Sequence, residues 1–384
     1  MSGFETRAVH VGQEPDPVSG AVVPPIGLST TFVQTGVGVP VGAYDYSRAG
    51  NPTRDGLERQ IASLEGARHG FAFASGLAAL DTVLRLLAPG DHLLIPHDAY
   101  GGTFRLVDTV FRPAGIGADP VDMSDPRAVE AAWRPNTRLV LVESPSNPTL
   151  SIVDLRAVSE IGRALGGLVV VDNTFATPYL QRPIELGAHV VVHSLTKYLG
   201  GHSDVLGGFV AVDDDELAER IRFRQKAVGA VLSPFDAYLT SRGVKTLAVR
   251  MDRQGATAEH LATLLQQHPQ VRTVLYPGLA DHPGHDIAKS QMTGFGGMLS
   301  FVLRGGRAAA EQVVTHTRVF TLAESLGAVE SLIEHPATMT HAVVNGTALQ
   351  VDPGLVRLSV GLETAADLAE DLWQALDALP ATSA

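Results

Sequence analysis

Short apolar runs alternate with amphipathic stretches through the first two thirds of the chain. The runs have the length and β-branched content of buried strands and lie at 71–74, 92–95, 139–143, 168–171, 190–192 and 208–212. Stretches with helical spacing of apolar residues lie before and between them, near 53–66, 101–111, 125–133 and 154–165. Strands separated by helices of this length predict an α/β domain with a mostly parallel sheet.

The pattern changes after a long helical region that runs from 234 to about 267. Shorter strand-like runs then alternate with helical stretches, which predicts a smaller α+β domain. Residues 1–52 show little periodicity and many prolines, and such a long irregular opening is typical of a segment that wraps a neighbouring subunit. The expected organisation is an N-terminal arm (1–52), a large domain (53–245) and a C-terminal domain (246–384).

Composition restricts the functional classes. The 384 residues include 29 Lys and Arg against 41 Asp and Glu, a formal net charge of −12, which argues against a general nucleic-acid or anionic-membrane binder. The absence of cysteine excludes disulfides and thiolate metal sites and fits a cytoplasmic protein. No stretch approaches the length of a membrane span. The segment His282-Pro283-Gly284-His285 is interpreted as a turn, so no metal site is predicted.

An acid and an amine follow two neighbouring apolar runs. Asp172 ends the run at 168–171, and Lys197 lies in the loop after the run at 190–192. The carboxyl ends of parallel strands share one edge of a sheet, so both side chains are expected in one crevice. This pair suggests pyridoxal phosphate (PLP), bound by the lysine as a Schiff base and faced by the acid at its ring nitrogen. Alternatively, the lysine is only a solvated loop residue and the aspartate only caps a helix. The further motifs described below distinguish between these two interpretations.

Two other segments are suited to phosphate. Ser75-Gly76-Leu77 turns from a strand directly into a helix, which presents backbone N–H groups at the positive end of the helix dipole. Tyr46 and Arg48 can both donate hydrogen bonds to phosphate oxygens.

A set of motifs in fixed order covers nearly the whole chain. They are Tyr46-Ser47-Arg48 with Gly50-Asn51-Pro52-Thr53, Ser75-Gly76-Leu77-Ala78-Ala79, Tyr100-Gly101-Gly102-Thr103, Glu143-Ser144-Pro145-Ser146-Asn147-Pro148, Val171-Asp172-Asn173-Thr174, Ser194-Leu195-Thr196-Lys197-Tyr198, Glu324-Ser325-Leu326-Gly327 and Arg357-Leu358-Ser359-Val360-Gly361. The ordered set resembles the cystathionine γ-synthase and γ-lyase family of PLP-dependent Cys/Met metabolism enzymes. The resemblance implies a fold type I, PLP-dependent transferase-like large domain with a smaller α+β C-terminal domain.

The resemblance also implies roles for the cofactor-binding residues. Lys197 would carry the cofactor and move protons, Asp172 would pair with the ring nitrogen, and Tyr100 would stack on the ring and exchange a proton. The phosphate would be held by the amides of Gly76 and Leu77, the hydroxyls of Ser194 and Thr196, and Tyr46 and Arg48 of a neighbouring subunit. A homotetramer built from two dimers follows, with active sites at the dimer interface.

The substrate would be a small sulfur amino acid. By resemblance, Arg357 would bind its α-carboxylate with the help of Asn147 and Ser325. Acidic Asp45 and Glu324 would favour a distal ammonium, and Arg105 is a candidate for a distal carboxylate.

The expected reaction is γ-elimination on cystathionine, giving cysteine, 2-oxobutanoate and ammonia in trans-sulfuration. If the thiol of cysteine instead adds at the γ-carbon of an activated homoserine ester, the enzyme would be a cystathionine γ-synthase. Methionine γ-lyase fits less well, because relatives with that activity carry a cysteine where Gly102 stands. A homoserine sulfhydrylase, a relative in secondary metabolism, a PLP aminotransferase and a non-catalytic protein of this fold are the remaining alternatives.

Overall fold

A computed structural model describes residues 2–342 and 350–380. The described α-helices are α1 (Phe4–His10), α2 (Pro52–Glu65), α3 (Gly76–Leu84), α4 (Gly101–Leu106), α5 (Pro126–Ala132), α6 (Leu155–Ala164), α7 (Thr177–Leu180), α8 (Asp215–Val228), α9 (Pro234–Val244), α10 (Leu247–Leu265), α11 (His285–Gln291), α12 (Gly306–His316) and α13 (Ala365–Asp377). The strands are β1 (Gln34–Gly36), β2 (Val39–Pro40), β3 (His69–Phe73), β4 (His92–Pro96), β5 (Gly117–Val121), β6 (Thr137–Glu143), β7 (Leu168–Asp172), β8 (Val190–Ser194), β9 (Gly208–Val212), β10 (Val271–Leu275), β11 (Met298–Leu303), β12 (Thr321–Leu322), β13 (Leu332–Glu334) and β14 (Leu355–Ser359).

The large sheet has the strand order β3-β9-β8-β7-β6-β4-β5. Strands β5, β4, β6, β7 and β8 run parallel, which confirms the predicted mostly parallel α/β sheet. Strand β9 is antiparallel to both β8 and β3, which the apolar pattern did not reveal. The segment between β8 and β9 contains no helix, so β9 returns without the crossover that a parallel neighbour requires.

Apolar strands form the centre of this domain because both faces of the sheet are covered. The valines of β7 and β8 are at most 2 % exposed and are distributed among three hydrophobic clusters. Helix α6 covers one face with Leu155 and Val158. Its N-cap is Asp154, whose side chain accepts a hydrogen bond from the Ala157 amide at 3.0 Å.

The C-terminal sheet has the order β10-β11-β14-β13-β12 and is antiparallel except for the β12–β13 pair. Helices α10, α12 and α13 pack against it in a separate hydrophobic cluster. The long helical region breaks between Val244 and Leu247, where α9 ends and α10 begins. The domain boundary near residue 245 stays a prediction.

The N-terminal segment is less irregular than expected. Residues Phe4–His10 form α1, which packs on α2 of the same chain through buried Ala8. Gln60 donates a hydrogen bond to the Ala8 carbonyl at 2.6 Å. Beyond α1 the segment carries exposed apolar side chains, among them Val18, Leu28 and Val37. Within the described residues, no helix is long and apolar enough to cross a membrane.

Candidate active site

A cavity of about 360 Å3 lies at the carboxyl edge of the parallel strands. Strands β6 and β7 place Glu143 and Asp172 side by side, because these two residues are paired in register. The loop after β8 brings Lys197 to the same cavity. Predicted residues that line it are Gly76, Leu77, Tyr100, Asn147, Asp172, Ser194, Thr196, Lys197, Glu324, Ser325 and Arg357.

Lys197 is partly buried, and its Nζ donates a hydrogen bond to the Ser325 hydroxyl at 2.7 Å. Burial, together with the positive charge of Arg357, lowers the pKa of Lys197 from 10.5 to about 8. About a tenth of the amine is therefore neutral at pH 7, which is far more than for a lysine in water. A neutral amine is the form that attacks a carbonyl carbon and accepts protons.

Asp172 accepts a hydrogen bond from the Thr174 amide at 3.0 Å, and the Thr174 hydroxyl accepts one from the Ser194 amide at 2.9 Å. Desolvation raises the pKa of Asp172 above its usual value. Among the described residues, no cationic side chain lies within ion-pairing distance of this carboxylate. A protonated ring nitrogen would supply a positive charge that stabilises this buried carboxylate.

Tyr100 stands at the start of α4, and its amide donates to Glu143 Oε2 at 3.3 Å. Burial raises the pKa of the Tyr100 phenol, while the nearby Arg105 opposes the shift. The ring packs against the neighbouring glycine, since a Cβ at Gly102 would lie 2.4 Å from the ring carbon Cε1. A glycine at this position lets the aromatic ring occupy its place at the cavity wall.

A phosphate cradle forms where β3 leads into α3. The Ser75 hydroxyl caps the helix by accepting from the Ala78 amide at 3.0 Å. Within the described residues, the amides of Gly76 and Leu77 donate to no protein acceptor, and both residues line the cavity. Strand β9 approaches this turn so closely that position 208 must be glycine, because a Cβ at Gly208 would lie 2.1 Å from the Ser75 carbonyl oxygen. Unpaired amides at a helix N-terminus fit an anionic group.

Arg357 is 2 % exposed and is held by three acceptors. Its Nη1 donates to Asn147 Oδ1 at 2.8 Å, and its Nη2 donates to the Ser325 carbonyl at 2.7 Å. Nη1 also lies 2.9 Å from Glu334 Oε1. The guanidinium is therefore fixed in the cavity wall, in a position to bind a carboxylate.

These observations match the requirements of PLP. The cradle would hold its phosphate, Asp172 would face its ring nitrogen, and Lys197 lies within the same cavity. The roles of the individual residues nevertheless stay predictions.

Four predicted residues do not line this cavity: Asp45, Tyr46, Arg48 and Arg105. Arg48 donates instead to the Lys226 carbonyl at 2.8 Å, and its guanidinium lies 5.4 Å from the Tyr46 ring centroid. The first three belong to the arm, for which a role in a neighbouring subunit is predicted.

Sequence reasoning assigned no role to three titratable groups at or beside the site, of which Glu143 lines the cavity. Glu334 ends β13 opposite Arg357 of β14, and its position within an apolar strand was the available signal. His341 Nε2 donates a hydrogen bond to the Asn147 carbonyl at 3.1 Å, and burial lowers the pKa of His341 to about 4. The turn at 282–285 is local, since the Gly284 amide donates to His282 Nδ1 at 3.1 Å.

The chain is similar to known proteins along nearly its whole length. The chain is 56 % identical over 377 residues to cystathionine gamma-synthase of Mycobacterium tuberculosis, covering 98 % of this chain and 97 % of the relative. It is 50 % identical over 380 residues to cystathionine beta-lyase of Coxiella burnetii, with 98 % of each chain covered.

Solved structures of similar proteins superpose closely on this chain. The crystal structure of metB from Corynebacterium glutamicum superposes with a TM-score of 0.97 at 52 % identity and 98 % coverage of both chains. Cystathionine gamma-lyase from Lactobacillus plantarum, complexed with L-serine, gives a TM-score of 0.94 at 46 % identity, covering 98 % of this chain and 99 % of that one. Residues 5–377 match the family described as Cys/Met metabolism PLP-dependent enzyme. The chain therefore belongs to this family of enzymes, and pyridoxal 5'-phosphate is its cofactor.

Proposed function

We propose that the protein is a cystathionine γ-synthase, which replaces the γ-acyloxy group of an activated homoserine ester by the thiol of cysteine. The observation that carries this proposal is the 56 % identity to cystathionine gamma-synthase over 98 % of the chain. The sequence analysis favoured the lyase, although no residue in the sequence decides between the two outcomes.

The cavity supplies groups for chemistry from Cα to Cγ. Bound PLP provides an electron sink for negative charge at Cα. Arg357 would bind the α-carboxylate and orient the substrate. Lys197 Nζ would take the Cα proton, give that proton up again, and only then take a Cβ proton. The Ser325 hydroxyl orients Nζ by accepting its hydrogen bond. Tyr100 closes the cavity and exchanges a proton through its hydroxyl.

A second candidate is γ-elimination of cystathionine. Glu324 lines the cavity and adds a negative charge near Tyr100, which favours a substrate with a distal ammonium. Cystathionine has such a group, whereas the acyl esters of homoserine do not. Methionine γ-lyase activity is less favoured, because relatives with that activity are expected to carry a cysteine where Gly102 stands.

We also propose that the active unit contains at least two copies, arranged in a homotetramer. Tyr46 and Arg48 lie outside the cavity of their own chain and are half-exposed or exposed. Apolar side chains of the same arm are uncovered, which a second copy would bury. The phosphate site would then receive Tyr46 and Arg48 from the neighbouring chain.

A product assay tests the reaction. Purified, PLP-loaded protein is given O-succinylhomoserine or O-acetylhomoserine with and without cysteine, and cystathionine alone. Cystathionine formed from ester and cysteine faster than 2-oxobutanoate is released supports the synthase. Cysteine and 2-oxobutanoate from cystathionine support the γ-lyase, and pyruvate with homocysteine would overturn both γ-specific assignments. Lys197→Ala is the control and should abolish every product.

A further inference from the structure

The carboxylate of Glu334 is buried against the guanidinium of Arg357, the group that is proposed to bind the substrate. It is the last residue of β13, and the antiparallel register sets it opposite Arg357. Its Oε1 lies 2.9 Å from Arg357 Nη1, and the two side chains are 1 % and 2 % exposed. The Thr340 hydroxyl donates to the same oxygen at 2.8 Å.

We propose that Glu334 is a positioning residue that lowers the affinity of Arg357 for the substrate α-carboxylate and takes up a proton when that carboxylate binds. The inference rests on the proposed role of Arg357 in binding the α-carboxylate. It concerns the strength of that binding and its dependence on pH.

Charge balance is the first reason. The buried pair of Glu334 and Arg357 is neutral, so a substrate carboxylate would place two anions on one guanidinium in a water-poor wall. Like charges that share a site favour protonation of one of them. The proton comes from water and adds to Glu334, and no bond to carbon forms or breaks.

The surroundings of Glu334 make it, rather than the substrate carboxylate, the group that takes up the proton. Its Oε2 has no hydrogen-bond partner among the described residues, so the charged form is only half satisfied. Desolvation raises the pKa of Glu334, and the charge of Glu324 acts in the same direction. Arg357, Lys197 and the Thr340 hydroxyl oppose the shift. A substrate carboxylate bound at Arg357 would add another negative charge and would therefore raise the pKa of Glu334 further.

Weaker binding has a use in turnover. The substrate and the amino-acid or keto-acid product carry the same carboxylate, so a buried guanidinium without a competing anion would bind both too tightly. Glu334 lowers the affinity for both, which shortens the time before product release.

Glu334→Gln tests the proposal, because it keeps the size and the acceptor oxygen but removes the charge. The probes are L-alanine, which has no leaving group, and n-propylamine, which lacks the carboxylate. Both are titrated against the PLP-loaded enzyme by the absorbance change of the cofactor. The variant should bind L-alanine about tenfold more tightly at alkaline pH, with the difference shrinking as pH falls. Binding of n-propylamine should be unchanged.

The sign follows from linkage. In the wild type, carboxylate binding raises the proton affinity of Glu334, so L-alanine should bind better as pH falls. Calorimetry in two buffers of different protonation enthalpy should show greater proton uptake by the wild type than by Glu334→Gln. Thr340→Val, which removes the donated hydroxyl, should shift binding in the same direction by a smaller factor. It keeps the proposal testable if the Gln variant fails to fold.

Glu330→Gln is the matched control, since Glu330 is exposed and accepts only from Ser203 at 3.2 Å. It should leave both titrations unchanged. Equal or weaker binding of L-alanine by Glu334→Gln, or an equal change with n-propylamine, would overturn the inference. If Arg357→Gln leaves L-alanine affinity unchanged, the proposed carboxylate site itself is wrong. These results are separable from the product assay, because L-alanine is not turned over.

Discussion

The Nζ of Lys197 and the hydroxyl of Ser325 lie 2.7 Å apart, although 128 positions separate them in the sequence. Ser325 adopts a left-handed backbone with φ +91°, which costs a non-glycine residue about 1–3 kcal/mol. In this conformation its hydroxyl reaches the lysine while its carbonyl accepts from Arg357. One strained residue thus connects the amine to the group that would bind the substrate carboxylate.

Ser325→Ala should lower kcat by about 10- to 100-fold, because the amine loses the acceptor that orients it. The cofactor should still bind, since the lysine remains, and its absorbance band reports this. Ser290→Ala is a suitable control, as the Ser290 hydroxyl donates only to the nearby Ile287 carbonyl. An unchanged kcat in Ser325→Ala would show that the hydrogen bond has no part in turnover.

The lowered pKa of Lys197 predicts how the cofactor-free protein recovers PLP. Only the neutral amine reacts, so the rate of PLP capture should rise with pH through about 8 and level off above it. A lysine in water would show this rise at about pH 10.4. Arg357→Gln removes the adjacent positive charge and should move the midpoint upward. A midpoint that stays above pH 10 in the wild type, about the solution value, would contradict the buried environment.

Mixing two inactive variants tests the placement of the arm. Arg48→Ala and Lys197→Ala should each have little activity, because each lacks part of every site. If Arg48 serves the neighbouring chain, hybrids formed after joint unfolding and refolding contain one intact site. Recovered activity should approach about a quarter of the wild type in an equal mixture. Mixtures that stay inactive although hybrids form would place Arg48 in its own chain's site.

Glu324→Gln should discriminate between substrates. Loss of the carboxylate should raise KM for cystathionine by about tenfold, since its distal ammonium loses a partner. The KM for O-acetylhomoserine, which lacks that ammonium, should change little. Equal effects on both substrates would remove Glu324 from recognition of the distal group.

Asp154→Ala should destabilise the protein without affecting its chemistry. The side chain caps α6 by accepting from the Ala157 amide, and loss of such a cap costs about 1 kcal/mol. Thermal unfolding should therefore shift downward while kcat and KM stay constant. A loss of activity at temperatures where the variant is folded would contradict a purely structural role.

Much of the large domain follows from local pattern. The apolar runs that became β4, β6, β7 and β8 could be recognised because a strand buried on both faces must be apolar throughout. The cap at Asp154 follows from rules that act over three or four residues. Asp172 and Lys197 were placed in one cavity because parallel strands end at one edge.

The tertiary structure decided what depends on distant segments. The antiparallel direction of β9 depends on which edge the chain returns to, and the pairing of Glu334 with Arg357 depends on the register of β13 and β14. The sequence by itself determined the α/β class, the residues at the strand ends and the cofactor, since these are written in local spacing and motif. Only the tertiary structure decided which acceptors hold Arg357 and Lys197, because those contacts join residues that no local pattern relates.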